Sequence, residues 1–303
     1  MKSSNIGGQA VMEGVMMRNA DKYAVAVRKT DGEIVVKTEE YKGIVQNKKI
    51  RSLPIIRGVF SFIDSMVLGM STLTYSASFF MDEEEEEKDE KKESVMMGLT
   101  IACSVVMAVA IFMILPYFLS QLFRKFTDST TLITLLEGAV RLVIFFGYIL
   151  LISRMKDIQR VFMYHGAEHK CINCIEHGME LNVENVLKSS RLHKRCGTSF
   201  LFIVMIVSII FFFFFRIESP IWRVVFRLLL IPVIAGVSFE FIRLAGKSEN
   251  KLVILLSKPG MMLQKLTTRE PDASMAEVAI ASVEAVFDWR AYLKENFGWQ
   301  EKV

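Results

Sequence analysis

Hydrophobic and polar positions are sharply segregated along this chain. Val95 to Phe123 is a run of 29 residues without a charged side chain, and just before it every residue from Asp82 to Glu93 is charged. An uncharged apolar run of about 18 or more residues reads as a transmembrane helix. Three further stretches have the length and apolarity of a span: Leu132–Ser153, Gly197–Phe215 and Val224–Ile242. The segment Ile55–Met81 is apolar too, but it contains Arg57, Asp64 and many Ser, Thr and Gly residues. It reads as an amphipathic helix at the membrane interface or packed on the bundle, with a fifth span as the competing reading.

The distribution of Lys and Arg favours four spans. Residues 1–52, 82–93, 154–196 and 243–303 together hold 30 of them, whereas the short connections 124–131 and 216–223 hold 4. Cytoplasmic loops carry the excess of positive charge. This asymmetry predicts both termini in the cytoplasm, and a fifth span would split it.

The remaining segments predict small cytoplasmic parts. Tyr23–Lys29 and Glu33–Thr38 alternate apolar and polar residues around Asp31-Gly32, a strong hairpin signal. Ahead of them, Gly7-Gly8 reads as a close-packed turn rather than a phosphate loop, because neither nucleotide fingerprint is present. The charged block reads as a solvated tether. Pro259-Gly260 reads as a helix break, and Ser274–Phe297 as one amphipathic helix with Val278, Ser282, Ala285 and Trp289 on its apolar side.

The expected fold is therefore a membrane all-α bundle of about four transmembrane helices. It carries a small cytoplasmic N-terminal β unit (1–52) and an interfacial helix with tether (53–94). Spans one and two (95–153) are followed by a cytoplasmic His/Cys loop (154–196), spans three and four (197–242) and C-terminal amphipathic helices (243–303).

Composition adds exclusions. Of 303 residues, 52% are hydrophobic and 4 are cysteine, which excludes a disordered chain or a disulfide scaffold. A net charge of +4 without a basic, aromatic-interleaved stripe gives no reason to expect nucleic acid. The N-terminal residues contain no apolar signal core, so entry through an internal helix into a bacterial cytoplasmic membrane is expected.

Candidate chemistry is concentrated. All four histidines and three of the four cysteines fall between residues 165 and 196, on the side expected to be cytoplasmic. Thiols there stay reduced, so a metal explains the cluster better than a disulfide. Imidazole and thiolate favour zinc, with ferrous iron as the alternative. His165-Gly-Ala-Glu168-His169 places two imidazoles one helical turn apart, with Glu168 nearby as a general base for a metal-activated water. Glu240, an acid inside a membrane helix, is a candidate third ligand. A competing set is Cys171-x-x-Cys174 with His193-x-x-Cys196, a closed structural site. Mixed sets such as His165, His169, His193 and Cys196 are a third arrangement. His177 reads as a turn histidine, Cys103 as a buried thiol in span one, and Glu137–Arg141 as a pair holding the bundle together.

The blocks GGQAVMEGVMMR, EGAVR, YHGAEHK, HKRCGTSF, SFEFIRLAGK and TTREPD occur in this order along almost the whole chain, which thereby resembles the YqhQ family. These are bacterial multi-spanning membrane proteins of unknown function. The resemblance implies a metal-dependent protein with no established reaction. It also implies that the recurring site positions correspond here to His165, Glu168, His169, His193 and Cys196, with Cys171 and Cys174 outside them. The expectation is a metal-dependent hydrolase of peptidase-like type, with a peptide or membrane protein as partner beside the bilayer. The alternative is a non-catalytic scaffold or membrane-protein assembly factor with a structural metal. A transporter has less support, because the spans show no internal repeat.

Overall fold

The computed structural model describes residues 2–80, 90–215, 217, 219–247 and 250–300. Residues 82–89 of the charged tether lie outside them. Four strands come first: β1 (Gly7–Val11), β2 (Gly14–Asn19), β3 (Lys22–Arg28) and β4 (Ile34–Glu40). Helices α1 (Lys48–Ser52), α2 (Ile56–Ser78), α3 (Glu90–Val109), α4 (Leu115–Gln121), α5 (Thr130–Ile152) and α6 (Lys156–Glu176) follow. Then come α7 (Val183–Lys188), α8 (Gly197–Phe214), α9 (Pro220–Lys247), α10 (Lys251–Thr267), α11 (Ala273–Val286) and α12 (Trp289–Phe297). The chain divides into two compact units, one of Met1–Phe80, Ser153–Ile203 and Ala235–Val303, the other of Met81–Ile152 and Val204–Ile234.

In the first unit the sheet is an antiparallel meander of order β1-β2-β3-β4. The Asp31-Gly32 hairpin forms as expected, closed by Arg28 opposite Ile34, with Gly32 at φ +90°. Gly7-Gly8 is not a turn; it begins β1, paired with Arg18 and Met17 of β2. Side chains alternate between the two faces of a strand. Val15, Met17, Ala24 and Ala26 pack against α6 and α11 on one face. On the other, Met16, Tyr23, Val25 and Val27 pack with Leu68 of α2. The sheet is thus the middle of three layers. The segments 1–52, 154–196 and 243–303, distant in sequence, share one core. The region 154–196 is mainly the two helices α6 and α7 rather than a loop.

Two expectations about the C-terminal part are corrected. Helix α10 runs unbroken through Pro259. Its buried stripe of Ser257, Gly260, Leu263, Gln264 and Thr267 outweighs the single backbone hydrogen bond that proline removes. Ser274–Phe297 is two helices, broken at Phe287-Asp288, where the Asp288 carboxylate caps α12 by accepting from Ala291 N. The buried side of α11 includes Val278 and Ser282 but not Ala285, which is exposed.

Five helices are long and apolar enough to cross a membrane: Ile56–Ser78, Val95–Lys125, Thr130–Ile152, Gly197–Phe214 and Ile221–Gly246. The first is α2, the segment with two readings. Its buried residues, from Gly58 to Ser76, include Asp64, which accepts hydrogen bonds from Tyr41 Oη and Ile44 N. Gln9 Nε2 of β1 donates to Gly69 O, and Met12 N to Ser76 Oγ. The later half of α2 therefore lies on the sheet, while Met66, Val67, Met70 and Leu73 are exposed.

In the second unit, Pro116 explains an irregularity. Proline has no N–H to donate four residues back, so the Phe112 carbonyl loses its helical partner. The helix widens to a π turn over Ala110–Ile114, and Arg141 Nε donates to Phe112 O at 3.0 Å. Arg141 also binds Glu137 at 2.9 Å, as the spacing suggested. Arg227 joins the same carboxylate, and both guanidinium groups lie over the Phe212 ring. All three charged side chains are buried. Cys103, expected to be buried, is exposed.

Candidate metal centre

Helix α6 is buried without interruption from Gly166 to Glu176. It ends where Gly178 adopts φ +80°, with Gly178 N and Met179 N donating back to Ile175 O and Cys174 O. His165, Glu168 and His169 share one face of it, as expected for this spacing. Cys196 arrives from the residue before α8. Among the described residues, one group could hold a metal ion: His165, His169 and Cys196, whose ligand atoms lie within 4.8 Å of one another.

The imidazoles are oriented by backbone carbonyls. His165 Nδ1 lies 2.9 Å from Thr267 O, at the end of α10, and His169 Nδ1 lies 2.6 Å from Arg191 O. A carbonyl oxygen only accepts, so each Nδ1 carries the proton and donates it. Both Nε2 atoms are then turned away from the carbonyls. They converge on one place: His165 Nε2 is 3.3 Å from Cys196 Sγ. Glu168 Oε2 lies 3.9 Å from His165 Nε2 and 3.6 Å from His169 Nε2. A histidine that donates its other nitrogen to a carbonyl is the ordinary arrangement of a metal ligand.

The carbonyl of Arg191 is held by a polar scaffold. Lys170 Nζ donates to Leu187 O and Ser189 O, both at 2.8 Å. Asn173 Nδ2 donates to Ser190 O and Leu192 O. Gln264 accepts from His193 N and donates to His193 O and to Ser199 Oγ. None of Lys170, Asn173, Gln264 or Thr267 was singled out from sequence. The signal for Lys170 and Asn173 was their place among the cluster residues on α6, flanked by Cys171, Ile172, Cys174 and Ile175.

Electrostatics separates the cysteines. Burial alone would raise the Cys196 thiol, but His165 and then His169 beside it hold it well below the usual thiol range. Burial pushes Cys171 well above that range and Cys174 up to about 12. Those two are neutral thiols, and Cys174 Sγ faces Glu180 O at 3.3 Å. The His imidazoles respond in turn. Burial opposes the charged form, yet Cys196 raises His165, and Glu168 with Cys196 raises His169 to about 9.

Two expected ligands are placed elsewhere. His193 Nε2 faces Glu176 Oε2 at 3.3 Å, and its Nδ1 lies 3.4 Å from Arg195 N. Glu176 is fully buried and also takes Arg195 at 2.5 Å and Ser4 N and Oγ, so His193 is one partner of a buried acid. Glu240 has both oxygens on the Arg57 guanidinium, with Arg243 at 4.0 Å. The closed Cys171, Cys174, His193, Cys196 set is not assembled. His177 sits exposed at the helix end, its Nδ1 2.8 Å from Asn173 O.

Gly8 of β1 touches the same site. A Cβ there would lie 2.8 Å from Glu168 Cγ and 2.6 Å from Met16 O, so only glycine fits between strand and helix.

The family described as "Protein of unknown function (DUF1385)" matches residues 53–289. The chain belongs to this family. It is 36% identical over 301 residues to the "Uncharacterized protein YqhQ" of Bacillus subtilis (strain 168), covering 96% of this chain and 94% of that protein. No solved structure matches it.

Proposed function

We propose that this chain is a multi-pass protein of the bacterial cytoplasmic membrane whose His165, His169 and Cys196 hold a zinc or ferrous ion at the cytoplasmic face. The observation that carries this reading is the pair of Nδ1–carbonyl bonds. They turn two Nε2 atoms and the Cys196 thiolate toward one another, an arrangement that suits a divalent cation once it displaces the proton His169 otherwise carries. Two nitrogens and one sulfur suit zinc better than magnesium or calcium. The bound ion supplies a Lewis acid that polarises a carbonyl and acidifies water. Glu168, beside both Nε2 atoms and buried, takes the proton of the attacking water. The reading is then a hydrolase acting on a peptide-like bond close to the bilayer.

One observation favours the scaffold alternative. Glu168 Oε2 is close enough to both imidazoles to complete the ligand set itself, which would close the site and leave a metal that only orders the fold. A single variant separates the two. Purified Glu168→Gln protein is assayed for zinc by elemental analysis. Full retention of one zinc per chain supports the base role. Loss of zinc supports the structural one. Wild-type protein containing no stoichiometric transition metal, after purification without chelators, would defeat both.

A further inference from the structure

Beside β1, between α2 and the last turns of α9, lies a groove of about 520 Å³. That volume falls within the usual range for ligand sites. No carboxylate lines it. Arg18, Arg195 and Arg243 do, and Leu68, Phe239 and Ile242 give it apolar walls.

The three guanidinium groups are committed to different degrees. Arg195 is neutralised by Glu176 at 2.5 Å. Arg18 donates to the carbonyls of Ala20 and Tyr41, which leave its charge uncompensated; among the described ion pairs it has none. Arg243 lies 4.0 Å from Glu240, whose oxygens are already on Arg57. The groove therefore carries net positive charge above apolar walls.

Its surroundings specify the ligand. Phe239, Ile242 and Arg243 belong to the final turns of Ile221–Gly246, a helix apolar enough to cross a membrane. Helix α2, which contributes Ser65 and Leu68 to the groove, exposes Ile63, Met66, Met70 and Leu73 on its other side and is itself apolar enough to cross a membrane. A basic, apolar-walled pocket at the end of a span is the form of a site for an anionic lipid headgroup. We propose that this groove binds one anionic phospholipid, its phosphate against Arg18 and Arg243 and its upper acyl chain along Leu68, Phe239 and Ile242. Gly8 forms part of the lining and abuts Glu168, so the bound headgroup lies one glycine away from the candidate metal centre. The inference rests on the membrane half of the reading above and is independent of the metal.

The test uses the full chain in mild detergent, titrated with short-chain phosphatidylglycerol and followed by native mass spectrometry. The expected result is one saturable lipid per chain that phosphatidylcholine does not displace. Near a membrane surface each basic residue contributes about fivefold to binding of anionic lipid. Arg18→Gln and Arg243→Gln should each weaken binding by about that factor, and the double variant by about 25-fold. Arg18→Lys should restore most of the loss, and Lys188→Gln should change nothing. Equal binding of phosphatidylcholine would overturn the proposal, as would unaltered binding in the double variant. Full displacement by millimolar inorganic phosphate would make the ligand a free anion, and displacement by an acidic peptide would make it a protein segment; either result refutes the lipid. Release of the chain from membranes by alkaline carbonate would defeat the membrane reading itself, and zinc measured in the same samples reports separately on the metal.

Discussion

Gly166→Ala puts the geometry around His165 under direct strain. In the middle of a helix, alanine is ordinarily more favourable than glycine by about 1 kcal/mol. At this position a Cβ would lie 2.0 Å from the backbone oxygen of Arg269. An ordinary carbon–oxygen contact is about 3.3 Å, so the strand of chain after α10 must recede by roughly 1.3 Å. Two hydrogen bonds anchor that strand to α6: Arg269 N to Phe162 O at 2.8 Å, and His165 Nδ1 to Thr267 O at 2.9 Å. Such a shift carries both beyond hydrogen-bonding distance. Overpacking costs about 1–3 kcal/mol, and each lost bond about 1 kcal/mol. After the helix-propensity gain, the expected net loss is about 2–4 kcal/mol. Without its carbonyl partner the His165 ring is no longer oriented, so zinc affinity should fall about 10- to 100-fold. Thermal unfolding and competition with a chromogenic chelator read the two effects. Gly7→Ala, where nothing lies within 4 Å, is the control and should match wild type. A Gly166→Ala protein that melts at or above the wild-type temperature with unchanged zinc affinity would refute the reasoning.

Four further outcomes follow from the same contacts. Cys196→Ser should lower zinc affinity about 10²- to 10³-fold, roughly one ligand's share of the 10–16 kcal/mol typical of a four-ligand site, whereas Cys171→Ser and Cys174→Ser should leave stoichiometry unchanged; equal losses at all three would revive the Cys-x-x-Cys set. His193→Ala should keep one zinc per chain while destabilising the fold by about 1–3 kcal/mol through Glu176, and loss of zinc would make His193 a ligand after all. Glu137→Gln should cost about 3–5 kcal/mol, because Arg141 and Arg227 remain buried without their shared anion; an unchanged melt in detergent counts against that. His169 is raised to about 9, so in metal-free protein its contribution is full below about 6.5 and is lost as pH rises through about 9. Zinc must displace that proton, so its affinity should climb about tenfold per pH unit from 7 to 9; a flat profile across this window would remove the imidazolium from the account.

Much of the molecule was legible because it rests on local pattern. The long apolar runs, two of them wholly uncharged, marked four of the five long apolar helices, and Asp31-Gly32 marked its hairpin, since both signals need only near neighbours. The first two strands were missed. Gly7-Gly8 suggests a turn by composition, and only the facing Glu168 Cγ shows why glycine is needed there. The break at Pro259 failed for a related reason: local propensity favoured it, but a buried stripe of α10 decided otherwise.

The site divides along the same line. His165 and His169 were legible as a candidate ligand pair because four-residue spacing on a helix places two side chains together whatever the rest of the fold does. Grouping Cys196 with them, and not Cys171 or Cys174, needed tertiary information, since imidazoles beside Cys196 lower its proton affinity while burial raises that of Cys171. His193 and Glu240 looked like ligands because buried or intramembrane polar groups must be satisfied. They are satisfied, by Glu176 and by Arg57. The same requirement that suggests a metal site from sequence is met as well by an ion pair, and distinguishing the two takes knowledge of which opposite charge the fold brings near. For His165 and His169 the carbonyls hold only Nδ1, and each Nε2 is left facing Cys196 or Glu168, so the cluster is met either by a proton held among those groups or by the cation proposed above.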